Sequence, residues 1–119
     1  MYIGIDLGST NIKAAIYDKD LNLVSRESVP VTYLRDSELV EFDAERYYDQ
    51  LIGLLCGMLK ATGTETVAEI AFTGQAETLV VLGKDGKPLM NAISWMDERS
   101  TEECKILEQQ FSHAVCEAV

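Results

Sequence analysis

The sequence is poor in positive charge: 10 Lys and Arg stand against 20 Asp and Glu, for a formal net charge of −10. Nucleic acid and anionic membrane surfaces both reward clustered Lys and Arg, so neither is an expected partner. An anionic small molecule has to be held by local groups. Cysteine is scarce too, and the 3 residues present (Cys56, Cys104 and Cys116) lack the close pairing of a zinc site or a redox motif. They read as reduced, structural thiols, which points to a cytoplasmic protein. The longest apolar segment, Leu51 to Leu59, is far too short to span a bilayer. Asp6 interrupts the first apolar residues and no basic segment precedes them, so a secretory signal is not expected. Internal repeats and low-complexity segments are also lacking.

What is present fits one small folded domain. At 119 residues the chain can bury a modest core, and 47% hydrophobic with 25% charged residues is the balance of a globular protein. Strands are expected at Tyr2 to Asp6, Ile12 to Tyr17 and Leu21 to about Val31, an antiparallel meander turning at Asp18-Lys19-Asp20. Thr32 to Leu39 is polar and reads as a loop around Asp36-Ser37. From Asp43 the period becomes helical: Tyr47, Leu51, Leu54, Leu55, Met58 and Leu59 share a face, with Asp43 a good N-cap and Gly63 a good stop. Tyr47 and Tyr48 are expected in the core. Val67 to Phe72 reads as a strand, Thr78 to Leu82 as another, Asp85-Gly86 as a hairpin turn, and Glu98 to Phe111 as a second helix ending near Ser112.

Function centres on the turn between the first two strands, Asp6-Leu7-Gly8-Ser9-Thr10-Asn11. A run of exposed backbone N–H groups makes an anion-binding concavity, and the Ser9 and Thr10 hydroxyls add donors. A carboxylate beside such a site repels an anion unless a divalent cation lies between them, so Asp6 points to a magnesium nucleotide. The competing reading is a plain hairpin in which Asp6, Gly8 and Asn11 serve turn chemistry alone, and spacing does not separate the two. No Gly-Lys-Ser/Thr follows, so this is not a P-loop, nor is it the dinucleotide fingerprint.

Three segments in order resemble the FGGY carbohydrate kinases: Asp6-Leu7-Gly8-Ser9-Thr10, Thr73-Gly74-Gln75-Ala76-Glu77-Thr78 and Ala92-Ile93-Ser94-Trp95-Met96-Asp97-Glu98-Arg99. The resemblance covers nearly the whole chain. It implies an α/β domain of ribonuclease H-like fold (the actin-like ATPase superfamily), here incomplete: residues 1–119 would be part of an N-terminal domain, with the C-terminal domain absent.

The resemblance also implies ATP as phosphoryl donor, Mg2+ on Asp6, phosphates lined by Gly8, Ser9, Thr10, Asn11 and Lys13, and a sugar or polyol bound by Gln75, Ala76, Glu77 and Trp95. A buried carboxylate at Glu77 would suit recognition of hydroxyls, and Trp95 offers a flat face to a sugar. Ala76 stands where glycerol kinases carry arginine, and Ala76-Glu77 where xylulokinases carry Met-His, so neither substrate pattern is met. Asp97 and Arg99 are expected to pair and organise their loop. The catalytic base of the family lies beyond Val119, so the chain contains no catalytic residue and is expected to be inactive alone. Missing helices would leave apolar surface uncovered and a homo-oligomer open to it. A non-catalytic actin-like or regulatory nucleotide-binding module is the alternative.

Overall fold

A computed structural model of the chain describes residues 1–111. In chain order the elements are β1 (Tyr2–Leu7), β2 (Asn11–Tyr17), β3 (Leu23–Pro30), β4 (Leu34–Asp36), β5 (Leu39–Phe42), α1 (Ala44–Thr62), β6 (Glu69–Gly74), β7 (Ala92–Ile93) and α2 (Thr101–Gln110). The main sheet runs β3-β2-β1-β6, antiparallel except for the parallel pair β1 and β6. A parallel neighbour needs a crossover, and α1 lies on it. The expected meander followed by a helix-connected strand is thus the observed one.

Alternation builds the core. Ile3 and Ile5 of β1 and Ile12, Ala14 and Ile16 of β2 point to one face, where Leu51 and Met58 of α1 seal them. The opposite face carries Gly4, Asp6, Lys13 and Ala15, so the period of two sends the charged pair away from the helix. The helix ends as its sequence predicts: Asp43 accepts from the amides of Glu45 and Arg46 at 3.0 Å, and Gly63 takes the left-handed conformation (φ 64°).

Several expectations need correction. The segment from Thr32 to Leu39 is not a simple loop: it contains β4, which pairs with β5, and β5 in turn pairs with β7 in a small second sheet. Strands this short carry too few residues to show a period. Thr78 to Leu82 forms no continuous strand. Leu79 bridges to Ile93 and Leu82 to Pro88, and a proline has no N–H with which to extend the ladder. The Asp85-Gly86 turn is formed, with Gly86 at φ 77°. The third strand starts at Leu23, because Leu21 turns left-handed (φ 61°) inside a loop held by Asp18, which accepts from the amides of Asp20 and Asn22. Tyr48 is exposed, and only Tyr47 of the pair packs against the core. Cys56 and Cys104 are free and exposed, so neither serves as packing. Cys116 and the expected helix end at Ser112 lie outside the described residues.

Candidate functional site

The turn after β1 is shaped by its carbonyls. Leu7 O accepts from Gln75 N at 3.0 Å, Thr10 O from Val31 N at 2.9 Å, and Gly8 O from Tyr47 Oη at 3.2 Å. Three neighbours thereby fix the carbonyls, while the amides of Gly8, Ser9 and Thr10 donate to no protein acceptor among the described residues. Unused N–H groups on one turn are what an anion requires. Glycine is needed at position 8, since a Cβ there would stand 2.8 Å from Asn11 O. Burial, with the nearby Tyr33 adding to it, pushes the Tyr47 hydroxyl up to about 12. It stays a proton donor to Gly8 throughout the neutral range.

Asp6, Lys13 and Thr73 stand in one row across the sheet, Asp6 facing Lys13 on β2 and Thr73 on β6. Lys13 Nζ lies 3.1 Å from Asp6 Oδ2, and both side chains are solvent-accessible. Exposed pairs of this kind contribute about 0–1 kcal/mol, so either partner can be recruited elsewhere cheaply. The donor set suits magnesium of the sort that takes one carboxylate and completes its shell with waters and phosphate oxygens. Among the described residues no cluster of three His, Cys, Asp or Glu could cage a metal without such help.

The second and third motifs meet the turn. Gln75 Oε1 accepts from Thr78 Oγ1 at 3.0 Å, Thr78 Oγ1 accepts from the backbone of Trp95 at 3.4 Å, and Trp95 Nε1 donates to Ser9 Oγ at 2.9 Å. Beside them opens a cleft of about 1000 Å³ bounded by Leu7, Tyr47, Tyr48, Thr73, Gln75 and Thr78. Ala76 and Glu77 are exposed, which corrects the expectation of a buried carboxylate at Glu77. Its backbone instead adopts φ 63°, a conformation that costs a residue with a Cβ roughly 1–2 kcal/mol and that asparagine tolerates better. Glu77→Asn is therefore expected to raise unfolding stability by about 0.5–1 kcal/mol in urea titrations. A loss of stability instead would mean that the glutamate makes a compensating contact.

The Trp95 segment is pinned by charge. Arg99 donates to both oxygens of Asp97, at 2.6 Å from Nε and 2.7 Å from Nη2, and to Glu41 Oε1 at 2.6 Å. Asp97 Oδ2 also accepts from Val40 N at 2.6 Å, and Glu41 Oε2 from Asn91 Nδ2 at 3.0 Å. The expected Asp97–Arg99 pair is thus formed, and it clamps the loop to β5. The Arg99 guanidinium holds the Asp97 carboxyl well below the usual carboxylate range. A depressed folded value contributes stability that is present above the unfolded value of about 4 and is lost as pH falls below it. Stability should therefore decline from about pH 4 downward, and Asp97→Asn should flatten that decline in denaturation midpoints measured against pH. An unchanged profile in the variant would rule the clamp out as its source.

Sequence reasoning missed Glu41, the Tyr47–Gly8 contact and the Trp95–Ser9 contact. The last joins residues 86 apart, and no spacing rule reaches that far. For Glu41 a signal existed: alternation along Leu39–Phe42 puts Val40 and Phe42 inside and Glu41 on the other face.

A parallel strand reached through a helix, laid beside an antiparallel meander whose first turn presents free amides and a carboxylate, defines an α/β domain of the actin-like ATPase fold. The chain matches the FGGY family of carbohydrate kinases, N-terminal domain, over residues 1–117, and it belongs to that family. A glycerol kinase from Natranaerobius thermophilus is 35% identical over 112 residues, covering 91% of this chain and 22% of that protein. Among solved structures, the xylulose kinase from Rhodospirillum rubrum superposes with a TM-score of 0.87 at 23% identity, over 95% of this chain and 24% of that one. The Plasmodium falciparum glycerol kinase with ADP gives 0.83 at 26% identity, over 94% and 24%. The chain thus spans under a quarter of the length of these relatives. No described helix is long and apolar enough to cross a membrane.

Proposed function

We propose that this chain is the N-terminal part of an ATP-dependent carbohydrate kinase, which moves the γ-phosphoryl group of ATP to a hydroxyl of a sugar or polyol. The observation that carries the reading is the turn of free amides at Gly8, Ser9 and Thr10 beside the accessible carboxylate of Asp6. In this reading the amides and hydroxyls of the turn, with Asn11, hold phosphate oxygens, and Lys13 leaves Asp6 to neutralise them. Asp6 holds the magnesium ion, which when bound supplies positive charge between carboxylate and phosphate. Gln75, Glu77 and Trp95 face the acceptor. Proton removal from the attacking hydroxyl needs a base, and Asp6, the carboxylate beside the turn, is committed to the metal in this reading, so residues 1–119 alone are expected to be inactive.

The kinase names of the relatives favour this reading over a non-catalytic actin-like module. Ala76 leaves room for an acceptor larger than glycerol, such as a four- or five-carbon polyol or ketose. The exposed apolar residues Ile70 and Phe72 of β6 support self-association of the chain by itself. The test is an ATP-coupled assay of a full-length protein containing this chain against glycerol, tetritols, pentitols and ketoses. Phosphorylation of a four- or five-carbon acceptor supports the proposal. Transfer to glycerol alone would sink the size argument, and no transfer to any of them would sink the kinase reading.

A further inference from the structure

The bond between Trp95 and Ser9 assigns each group a direction. An indole N–H can only donate, so in the 2.9 Å contact Ser9 Oγ is the acceptor. The Ser9 proton must then point elsewhere. A serine hydroxyl free to rotate samples several wells and is as ready to accept as to donate. Here one lone pair is taken by the indole, and the proton becomes available as a donor beside the free amides of Gly8, Ser9 and Thr10.

The indole can impose this because its backbone is fixed on both sides. Ser94 is buried and its amide donates to Val40 O at 3.0 Å. Asp97 is clamped by Arg99 and by Val40 N. Trp95 N itself leans on Thr78 Oγ1. The residue is nonetheless 52% exposed, so its placement owes more to these anchors than to apolar packing.

We propose that Trp95 is a positioning residue for the phosphate turn: its indole N–H polarises and orients the Ser9 hydroxyl so that the serine proton is donated to a phosphate group. In the function proposed above the same side chain faces the acceptor, so the two halves of the site would share one element. This rests on the reading of the turn as a phosphate site and deepens it.

The chain has 1 tryptophan, so its indole N–H gives a single nitrogen–proton correlation in NMR. Ser9→Ala is expected to move that signal, and Ser9→Thr, which keeps the oxygen, to restore it. An unmoved signal in Ser9→Ala would overturn the contact. Magnesium pyrophosphate titrated into the wild-type chain should shift the amides of Gly8, Ser9 and Thr10 together with the indole signal. In Trp95→Phe, which keeps an aromatic ring and removes the N–H donor, binding read from those amides should weaken about threefold to tenfold, the worth of one hydrogen bond. Equal affinity in Trp95→Phe would overturn the positioning role while leaving the phosphate turn intact. Silent turn amides in the wild type would overturn the phosphate reading itself.

Discussion

Ile16→Ala is expected to remove about 3–4 kcal/mol of folding stability, near the middle of the range for large buried aliphatics. Ile16 is fully buried at 0% exposure. It pairs in register with Ile3 on β1, and it belongs to the cluster that Leu51 and Met58 of α1 close. Truncation leaves a void bounded by two strands and a helix, none of which can collapse into it without shifting the sheet. The same loss lowers the melting temperature by roughly 12–25 °C for a domain of this size. Domains of this kind are stable by only about 5–15 kcal/mol, so this one truncation is expected to remove a large share of the total. Urea and thermal denaturation followed by circular dichroism check it. A shift below about 1 kcal/mol would mean that α1 does not seal the sheet.

Asp6→Asn should act on ligand binding without comparable harm to the fold, because the side chain sits on the open face and its ion pair with Lys13 is weak. In the wild-type chain magnesium is expected to strengthen pyrophosphate binding, since the cation joins two anions that otherwise repel. In the variant that dependence should vanish. Metal-free pyrophosphate should bind a few-fold better, the repulsion of a charge at about 4 Å in water being worth roughly 1 kcal/mol. In a full-length kinase, transfer should fall at least about a hundredfold, as when one preorganised electrostatic partner of the transition state is removed. Titration calorimetry with and without magnesium separates these effects. An equal response to magnesium in both proteins would overturn the proposed metal-binding role of Asp6.

Much of this architecture can be read from residue order, and the limits have physical causes. Ile3, Ile5, Ile12, Ala14 and Ile16 alternate so strictly that the first hairpin and its buried face follow directly. Asp43 and Gly63 bracket α1 because capping depends on neighbours a few residues away. β4, β5 and β7 escaped notice because they are 3, 4 and 2 residues long and owe their existence to one another. The site divides in the same way. Asp6, Gly8 and Gln75 stand out through local chemistry or motif, whereas the pairing of Ser9 with Trp95 and of Arg99 with Glu41 is made by the fold. Glu77 shows a third case: its residue type is visible in the sequence, but its left-handed backbone is not.

The second helix has a consequence for how the molecule breathes. None of the residues of α2 is buried, and its Ser100 cap makes no side-chain hydrogen bond. A helix of 10 residues, none of them buried, is below the length at which helices persist in water by themselves. It lies outside the cooperative unit formed by the sheet and α1. Its amides should trade hydrogen for deuterium through local fraying, at rates indifferent to denaturant, while those of β1 and β2 wait for the whole domain to open.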